Sequence, residues 1–212
     1  MQHTPLDQQQ GFTLAELTVA LVIIAVLMAV VLKGAGLIDS AKTNSLVATI
    51  KDLSVASRQF KERYRYWPGD LPNADAAIPN LPAACVLPTS TASIGDGQIN
   101  TATEVACAIE ELFQAGMIKA DLVPATGMHI VTHESETVRL VSGATSNTPN
   151  FLPGVNIVEV PRVKCTSVMA ADLKIDDGDI SLASNGRAKA SVAGCVTNGA
   201  NDPVPFYGVA IN

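Results

Sequence analysis

The sequence predicts an α+β protein: a long amino-terminal helical spine, whose first half is transmembrane, packed on a carboxy-terminal head that has a short helix and an antiparallel β-sheet. Three features of the 212-residue sequence support this prediction. An uninterrupted hydrophobic run is followed by a stripe of apolar residues at helical spacing. The second half of the chain then contains stretches that alternate in polarity or are rich in β-branched residues, which is typical of strands.

The hydrophobic run has the length and composition of a transmembrane helix. The 21 residues from Phe12 to Leu32 contain one ionisable side chain, Glu16. At about 1.5 Å per residue, a helix of this length spans a bilayer core of roughly 30 Å. A secretory signal peptide would have a positive amino-terminal region and a shorter apolar stretch, whereas residues 1–10 contain no Lys or Arg. Lys33 closes the run on its far side, so charge alone does not settle the topology.

Glu16 is the discriminating residue, because a carboxylate at the centre of a membrane span costs roughly 2.5–3.5 kcal/mol on insertion scales and normally marks a function. The segment Gly11-Phe12-Thr13-Leu14-Ala15-Glu16 closely resembles the cleavage site of the prepilin family, which includes type IV pilins and type II secretion pseudopilins. Leaders in that family end in Gly, and Phe-Thr-Leu-x-Glu and a long hydrophobic helix follow. The resemblance implies that a membrane prepilin peptidase removes residues 1–11, cutting between Gly11 and Phe12. It also implies that Phe12 becomes the N-methylated terminus.

The sequence departs from the family pattern at two points. The leader contains no Lys or Arg, although family leaders usually do. No Pro occurs from residue 12 to 67, where many major pilins have one. Gly34 and Gly36 are the weak points of the predicted helix instead, because Gly costs roughly 1 kcal/mol relative to Ala in a helix.

Glu16 is the predicted assembly residue. Cleavage would leave a positive amine at Phe12 near the bilayer, and Glu16 of a neighbouring subunit could neutralise this amine when subunits stack. Such a contact is heterologous and generates a helical filament unless the rotation closes. The alternative is a plain bitopic anchor, in which Glu16 lies near the membrane interface and reaches water.

Helical periodicity continues beyond the membrane span. An unbroken helix from Phe12 to about Arg65 would be roughly 80 Å long. The segment Trp67–Asn73 must end it, because proline removes a helical donor and disfavours helix in the preceding residue. The apolar stripe consists of Leu46, Ile50, Leu53, Phe60 and Tyr64, with Ser57 at the missing step, and Lys51, Asp52, Arg58 and Glu62 lie off it.

The tract Tyr64-x-x-Trp67-Pro68-Gly69-Asp70-Leu71-Pro72-Asn73-Ala74 resembles a tract at the same place in a subset of pilin-like proteins. In that subset a Gly-Asp-Gly turn, a short helix and a late Asp-Asp-Gly follow. This chain has Gly95-Asp96-Gly97, Glu104–Met117 and Asp176-Asp177-Gly178 in the same order. The resemblance is strong over residues 11–33 and weaker afterwards.

The predicted organisation is a leader at 1–11, a transmembrane helix at 12–33, its amphipathic continuation at 34–66, and a globular periplasmic or extracellular head at 67–212. In the head, Thr101 and Glu104 form a capping-box pattern before an apolar helical face. We expect strands at His129–Leu140 and Val155–Val163, a hairpin at Asn185-Gly186, and a sheet lying against the amphipathic half of the helix. The apolar face consists of Val105, Ile109, Leu112, Phe113 and Met117.

The four cysteines, Cys85, Cys107, Cys165 and Cys195, all follow the hydrophobic run, and none forms a Cys-x-x-Cys pair. An even number beyond a membrane anchor suits disulfides in an oxidising compartment, and four cysteines permit three connectivities. We favour Cys85–Cys107 and Cys165–Cys195, because neighbouring pairs close local loops.

Two groups of residues invite a metal-site hypothesis. His129 and His133 are four residues apart, but the segment between them looks extended, which separates them by about 13 Å. Asp176, Asp177 and Asp179 could surround Ca²⁺, as related pseudopilins hold calcium near their carboxyl end, and Gly95-Asp96-Gly97 is a second acidic turn. Asp-Gly also makes a good turn without an ion. We therefore expect no cofactor and keep calcium as the alternative.

Composition and motifs exclude other classes. The net charge of −6 argues against a nucleic-acid partner, and Lys61-Glu62-Arg63-Tyr64-Arg65 is interrupted by a carboxylate. No nucleophile elbow, phosphate-binding loop, His-Glu-x-x-His or dinucleotide fingerprint occurs, so we do not expect an enzyme.

The resemblance implies a structural subunit of a type IV pilus-like filament that assembles through its amino-terminal helix. Its expected partners are copies of itself, related pilins, prepilin peptidase and an inner-membrane assembly platform. It would span the bacterial inner membrane once before assembly and occupy a surface or periplasmic filament afterwards. The alternatives are a pseudopilin of a type II secretion system and a bitopic binding module that does not polymerise.

Overall fold

The structure is a computed structural model that describes residues 12–88, 93–148, 151–176, 186–191 and 203–211. The chain divides into two compact units, Met1–Ala41 and Lys42–Asn212. The first helix, α1 (Leu14–Tyr64, 51 residues), contributes its beginning to the first unit and its remainder to the second. The continuous helix that the periodicity predicts is therefore present.

The second part of α1 is amphipathic, as predicted. The stripe residues Leu46, Ile50, Leu53, Ser57 and Phe60 are buried, and Tyr64 is partly buried. The four charged residues predicted off the stripe are exposed. The helix ends where Arg65 adopts a positive φ of 70° and its backbone N–H donates to the Lys61 carbonyl at 2.8 Å. This left-handed residue reverses the chain before Pro68.

Two 3₁₀ turns, Ala74–Ala76 and Ala83–Cys85, lead to the second helix, α2 (Ala102–Gln114). The predicted capping box is confirmed: the Thr101 hydroxyl accepts from the Glu104 N–H, and Glu104 accepts from the Thr101 N–H. The helix ends three residues before the predicted Met117, because Gly116 adopts a φ of 72° just beyond it. The predicted Cys85–Cys107 pair is a disulfide that joins the second 3₁₀ turn to α2.

The head contains six strands among the described residues: β1 (Asp121–Val123), β2 (Met128–His133), β3 (Glu136–Ser142), β4 (Asn156–Lys164), β5 (Ala188–Ala190) and β6 (Pro203–Ala210). The predicted stretch His129–Leu140 overlaps β2 and β3, and the predicted stretch Val155–Val163 overlaps β4. The six strands form one antiparallel sheet in the order β1-β2-β3-β4-β6-β5.

A third helix, α3 (Cys165–Ile175), was not expected from the sequence. It follows β4 without an intervening loop, and no side chain caps its first turn, so it has no start signal to recognise. Val168 and Ala171 bury its inner face against the sheet. Asn185, the first residue of the predicted hairpin turn, lies outside the described residues.

The larger of two hydrophobic clusters in the Lys42–Asn212 unit combines the α1 stripe with one face of the sheet, as predicted. Trp67 and Ile78 extend this core along the segment after α1. The larger fully buried members are Leu46, Ile50, Phe60, Ile78, Ile99, Leu112, Leu140 and Tyr207.

Candidate functional site: the amino-terminal helix

The first part of α1 presents apolar side chains on every face. Its exposed large apolar side chains before Lys33 range from Ile24 at 49% to Leu14 at 81%, and Phe12, which precedes the helix, is 87% exposed. The helix contains an 18-residue window of mean hydropathy 2.8, and none of that window is buried in the structure. It is long and apolar enough to cross a membrane. A surface this apolar requires lipid or other apolar helices as its surroundings.

Glu16 lies in the first turn of α1, where it forms a reciprocal cap with Thr13. One oxygen of Glu16 accepts from the Thr13 backbone N–H and from its hydroxyl, both at 2.8 Å. The Thr13 hydroxyl in turn accepts from the Glu16 N–H at 3.3 Å. This is the capping-box geometry, which satisfies donors that an α-helix leaves unpaired at its start. The Thr-x-x-Glu spacing in the sequence is the signal that could have revealed it.

The cap places the carboxylate at the positive end of the helix dipole, where a negative charge is stabilised. It also leaves the second Glu16 oxygen without a hydrogen bond among the described residues. A cation from outside the chain can therefore approach Glu16 while the Thr13 contacts persist. Gly11, the other half of the predicted cleavage site, lies outside the described residues, so cleavage at Gly11–Phe12 and methylation of Phe12 stay predictions.

The two histidines considered as metal ligands both lie on β2, where His129 has structural partners and His133 is buried. His129 stacks on Phe113 at 3.6 Å between ring centroids, and its Nδ1 lies 2.9 Å from Glu110. His133 is buried, and that burial lowers its pKa. Within the described ranges, no three His, Cys, Asp or Glu side chains are grouped to hold a metal ion.

Of the two acidic turns, the one at Gly95-Asp96-Gly97 is described completely and the one at Asp176–Asp179 only at Asp176. Asp176 accepts from the backbone N–H groups of Arg187 and Ala188, whereas Asp177 and Asp179 lie outside the described residues. The Asp96 oxygens accept from the Gln98 N–H and the Asn100 amide, both at 2.8 Å. Cys165 is disulfide-bonded, but its predicted partner Cys195 also lies outside the described residues.

A group of buried carboxyl groups on α2 went unrecognised in the sequence. Glu104 and Glu111 are fully buried on this helix, as is Asp70 in the turn after α1. Burial raises the pKa of Glu111 to about 8 and that of Asp70 to about 6. Sequence patterns place charged residues on solvated faces, so the burial of these groups was not foreseeable from spacing.

The comparisons with known proteins concern the amino terminus. Residues 6–32 match the family model described as the prokaryotic N-terminal methylation motif. Neither the curated proteins nor the solved structures give a match to the chain. The matched segment contains Gly11, Phe12 and Glu16, the three residues that the sequence analysis singled out. The chain therefore carries, at residues 6–32, the motif that is the hallmark of prepilin-type proteins, the type IV pilins and pseudopilins.

Proposed function

We propose that the chain is a structural subunit of a type IV pilus-like filament, assembled through α1 after prepilin peptidase has removed residues 1–11. The observation that supports this most directly is the coincidence of the methylation motif with a fully exposed apolar helix. The family of the motif is structural rather than enzymatic. In this proposal the exposed helix lies in the inner membrane first and among other helices of the filament later.

The proposed assembly contact joins two charged groups, each of which is unfavourable by itself in an apolar environment. The new amine at Phe12 is positive, and Glu16 is the one ionisable side chain in the 12–32 run. Pairing Glu16 of one subunit with the Phe12 amine of its neighbour neutralises both groups in a low-dielectric surrounding, where the attraction is strong. Because donor and acceptor lie on different subunits, each added subunit offers the same contact to the next.

Two measurements test processing and assembly separately. Mass spectrometry of the protein from its native cell is expected to show an N-methylated Phe12 terminus, and an intact Met1 would refute processing. The Glu16→Ala variant is expected to insert into the membrane but to assemble poorly. Thr18→Val is the matched control, because it changes a polar residue in the same exposed part of the helix without touching the carboxylate. Normal filaments in Glu16→Ala would refute the charge-pairing role.

The location of the filament distinguishes a pilus from a secretion pseudopilus. We expect shearing of the cell surface to release the subunit as long fibres. Retention in the periplasm, with a defect in protein export when the gene is deleted, would identify a pseudopilin instead. Recovery as a detergent-soluble monomer alone, even with the peptidase overproduced, would favour a bitopic binding module.

A further inference from the structure

Three buried carboxyl groups meet where the segment after α1 packs on α2. Glu104 and Glu111 lie seven residues apart on one face of α2, with Ala108 between them. The turn containing Gly69 and Asp70 rests on this face. A Cβ at Gly69 would lie 2.2 Å from the Glu104 carbonyl oxygen, so the turn is in direct contact with the helix backbone.

Each carboxyl group accepts hydrogen bonds from the backbone N–H groups of a connecting segment. Glu111 accepts from the Gly69 N–H at 2.7 Å, and Glu104 accepts from the Asn100 and Thr101 N–H groups at 2.8 Å each. The two oxygens of Asp70 accept from Gly95 and Gly97 at 2.5 and 2.9 Å. The turn after α1, the 95–101 loop and α2 are therefore joined through carboxyl oxygens.

One oxygen of Glu104 and one of Glu111 are buried without a hydrogen-bond partner among the described residues. The charged groups that interact with this cluster are themselves acidic: Asp70 interacts with Glu104 and Asp96, and Glu111 interacts with Asp70 and Glu104. Lys61, a cation near the end of α1, has its ammonium group over the Trp67 ring, 4.2 Å from the centroid. Buried negative charges that have only acidic groups among their described charged neighbours are strongly unfavourable, so this cluster favours binding a proton or a cation.

We propose that Asp70, Glu104 and Glu111 form a proton-dependent carboxyl clasp, which holds the segment after α1 and the 95–101 loop on α2 at neutral pH and releases them in alkaline solution. A proton is favoured over a metal ion, because the described residues contain no metal-holding group of three such side chains. A proton on Glu111 converts an unpartnered acceptor into a donor and removes one of the repelling charges.

The direction of the pH dependence follows from the burial of Glu111. Its pKa is raised from 4.5 to about 8, so the folded protein holds a proton that the unfolded chain releases between these values. The stabilisation is complete below the unfolded pKa and is lost as the pH rises through the folded pKa. Asp70, with a pKa raised from 3.8 to about 6, contributes the same sign over a more acidic window.

Trp67 provides a local reporter for the clasp. It is the single tryptophan of the chain, it is 3% exposed, and it immediately precedes the turn that the clasp holds. In the full chain in detergent, we expect tryptophan emission to shift to the red between about pH 7 and about pH 9. Far-ultraviolet circular dichroism should change little over the same range, because α1 and the sheet do not depend on the clasp.

The Glu111→Gln variant tests the assignment, since its amide keeps the acceptor for Gly69 and cannot ionise. We expect it to abolish the alkaline transition, whereas the control Asp75→Asn, an exposed acid in the same segment, should retain it. An unchanged transition in Glu111→Gln, or no transition in the wild type, would overturn the proposal.

Infrared spectroscopy of the wild type keeps the test independent of how the variant folds. A protonated carboxyl C=O stretch is expected at neutral pH and should disappear with the same midpoint as the tryptophan shift. Its absence at neutral pH would overturn the proposal. Millimolar Ca²⁺ should leave the transition in place, and a shift that a chelator reverses would identify a cation site instead.

Discussion

The disulfide between Cys85 and Cys107 should contribute substantially to the stability of the head. It closes a loop with a sequence separation of 22 residues. On the loop-closure relation, a loop of this size removes about 11 cal/mol/K of entropy from the unfolded chain, which corresponds to about 3 kcal/mol at 25 °C. Replacing both cysteines by alanine is therefore expected to lower the free energy of unfolding by about 3 kcal/mol. For a unit of this size, Tm should fall by about 10 °C.

Alanine is the appropriate replacement, because both cysteines are buried and a serine hydroxyl would add an unpartnered polar group. The assay is urea unfolding of the full chain in detergent under non-reducing conditions, with circular dichroism and Trp67 fluorescence as probes. The denaturant dependence m should rise in the variant, because the unfolded chain without the cross-link exposes more surface. The control is Ala84→Gly, which perturbs the same 3₁₀ turn but keeps the bond. A loss below about 1 kcal/mol with unchanged m would refute the loop-closure reasoning.

Three further substitutions should change the stability of the head, each measured by thermal unfolding. Ser135 has a φ of 72° in the two-residue turn between β2 and β3, a backbone conformation that is strained for a residue other than glycine. Ser135→Gly should therefore stabilise the head by about 1 kcal/mol, and a lower Tm would contradict the prediction. The buried Ser57 hydroxyl has no hydrogen-bond partner among the described residues, so Ser57→Ala should also stabilise the head by about 1 kcal/mol. An unchanged free energy of unfolding would contradict this prediction. Buried Glu159 accepts from the backbone N–H groups of Asn147 and Thr148, so Glu159→Gln should destabilise by about 2 kcal/mol. Exposed Glu62→Gln is its control and should stay within about 0.5 kcal/mol of the wild type.

The predictions that the structure confirmed concern local periodicity and caps. The α1 stripe was recognisable because burial on one side of a helix imposes a spacing near 3.6 residues on Leu46, Ile50 and Leu53. The Thr101–Glu104 capping box was recognisable because both partners lie within one helical turn. The stretches over β2, β3 and β4 were recognisable from their alternating or β-branched residues. In each case the pattern that gives the signal lies within one short segment of the sequence.

The features that escaped prediction depend on partners far along the chain. α3 has no side-chain cap and a weakly amphipathic pattern, so its helical state depends on packing of Val168 and Ala171 against strands formed elsewhere. The sequence analysis assigned Glu104 to a capping box and did not single out Glu111, and it predicted burial for neither. They are buried because the turn containing Gly69, 42 residues before Glu111 in the chain, is bound on top of them.

The sequence was sufficient for the amino terminus, where a glutamate within a long apolar run, preceded by Gly-Phe-Thr-Leu, identifies a prepilin-type motif. The function that we propose for this end of the chain depends on a linear pattern, which lipid, a peptidase and neighbouring helices could recognise without a folded head. For the head, the buried carboxyl groups could be identified only from the tertiary structure. Which carboxyl groups lose water depends on how distant segments pack, and burial of this kind raises the pKa of Asp70 and of Glu111 without leaving a periodic signal in the chain.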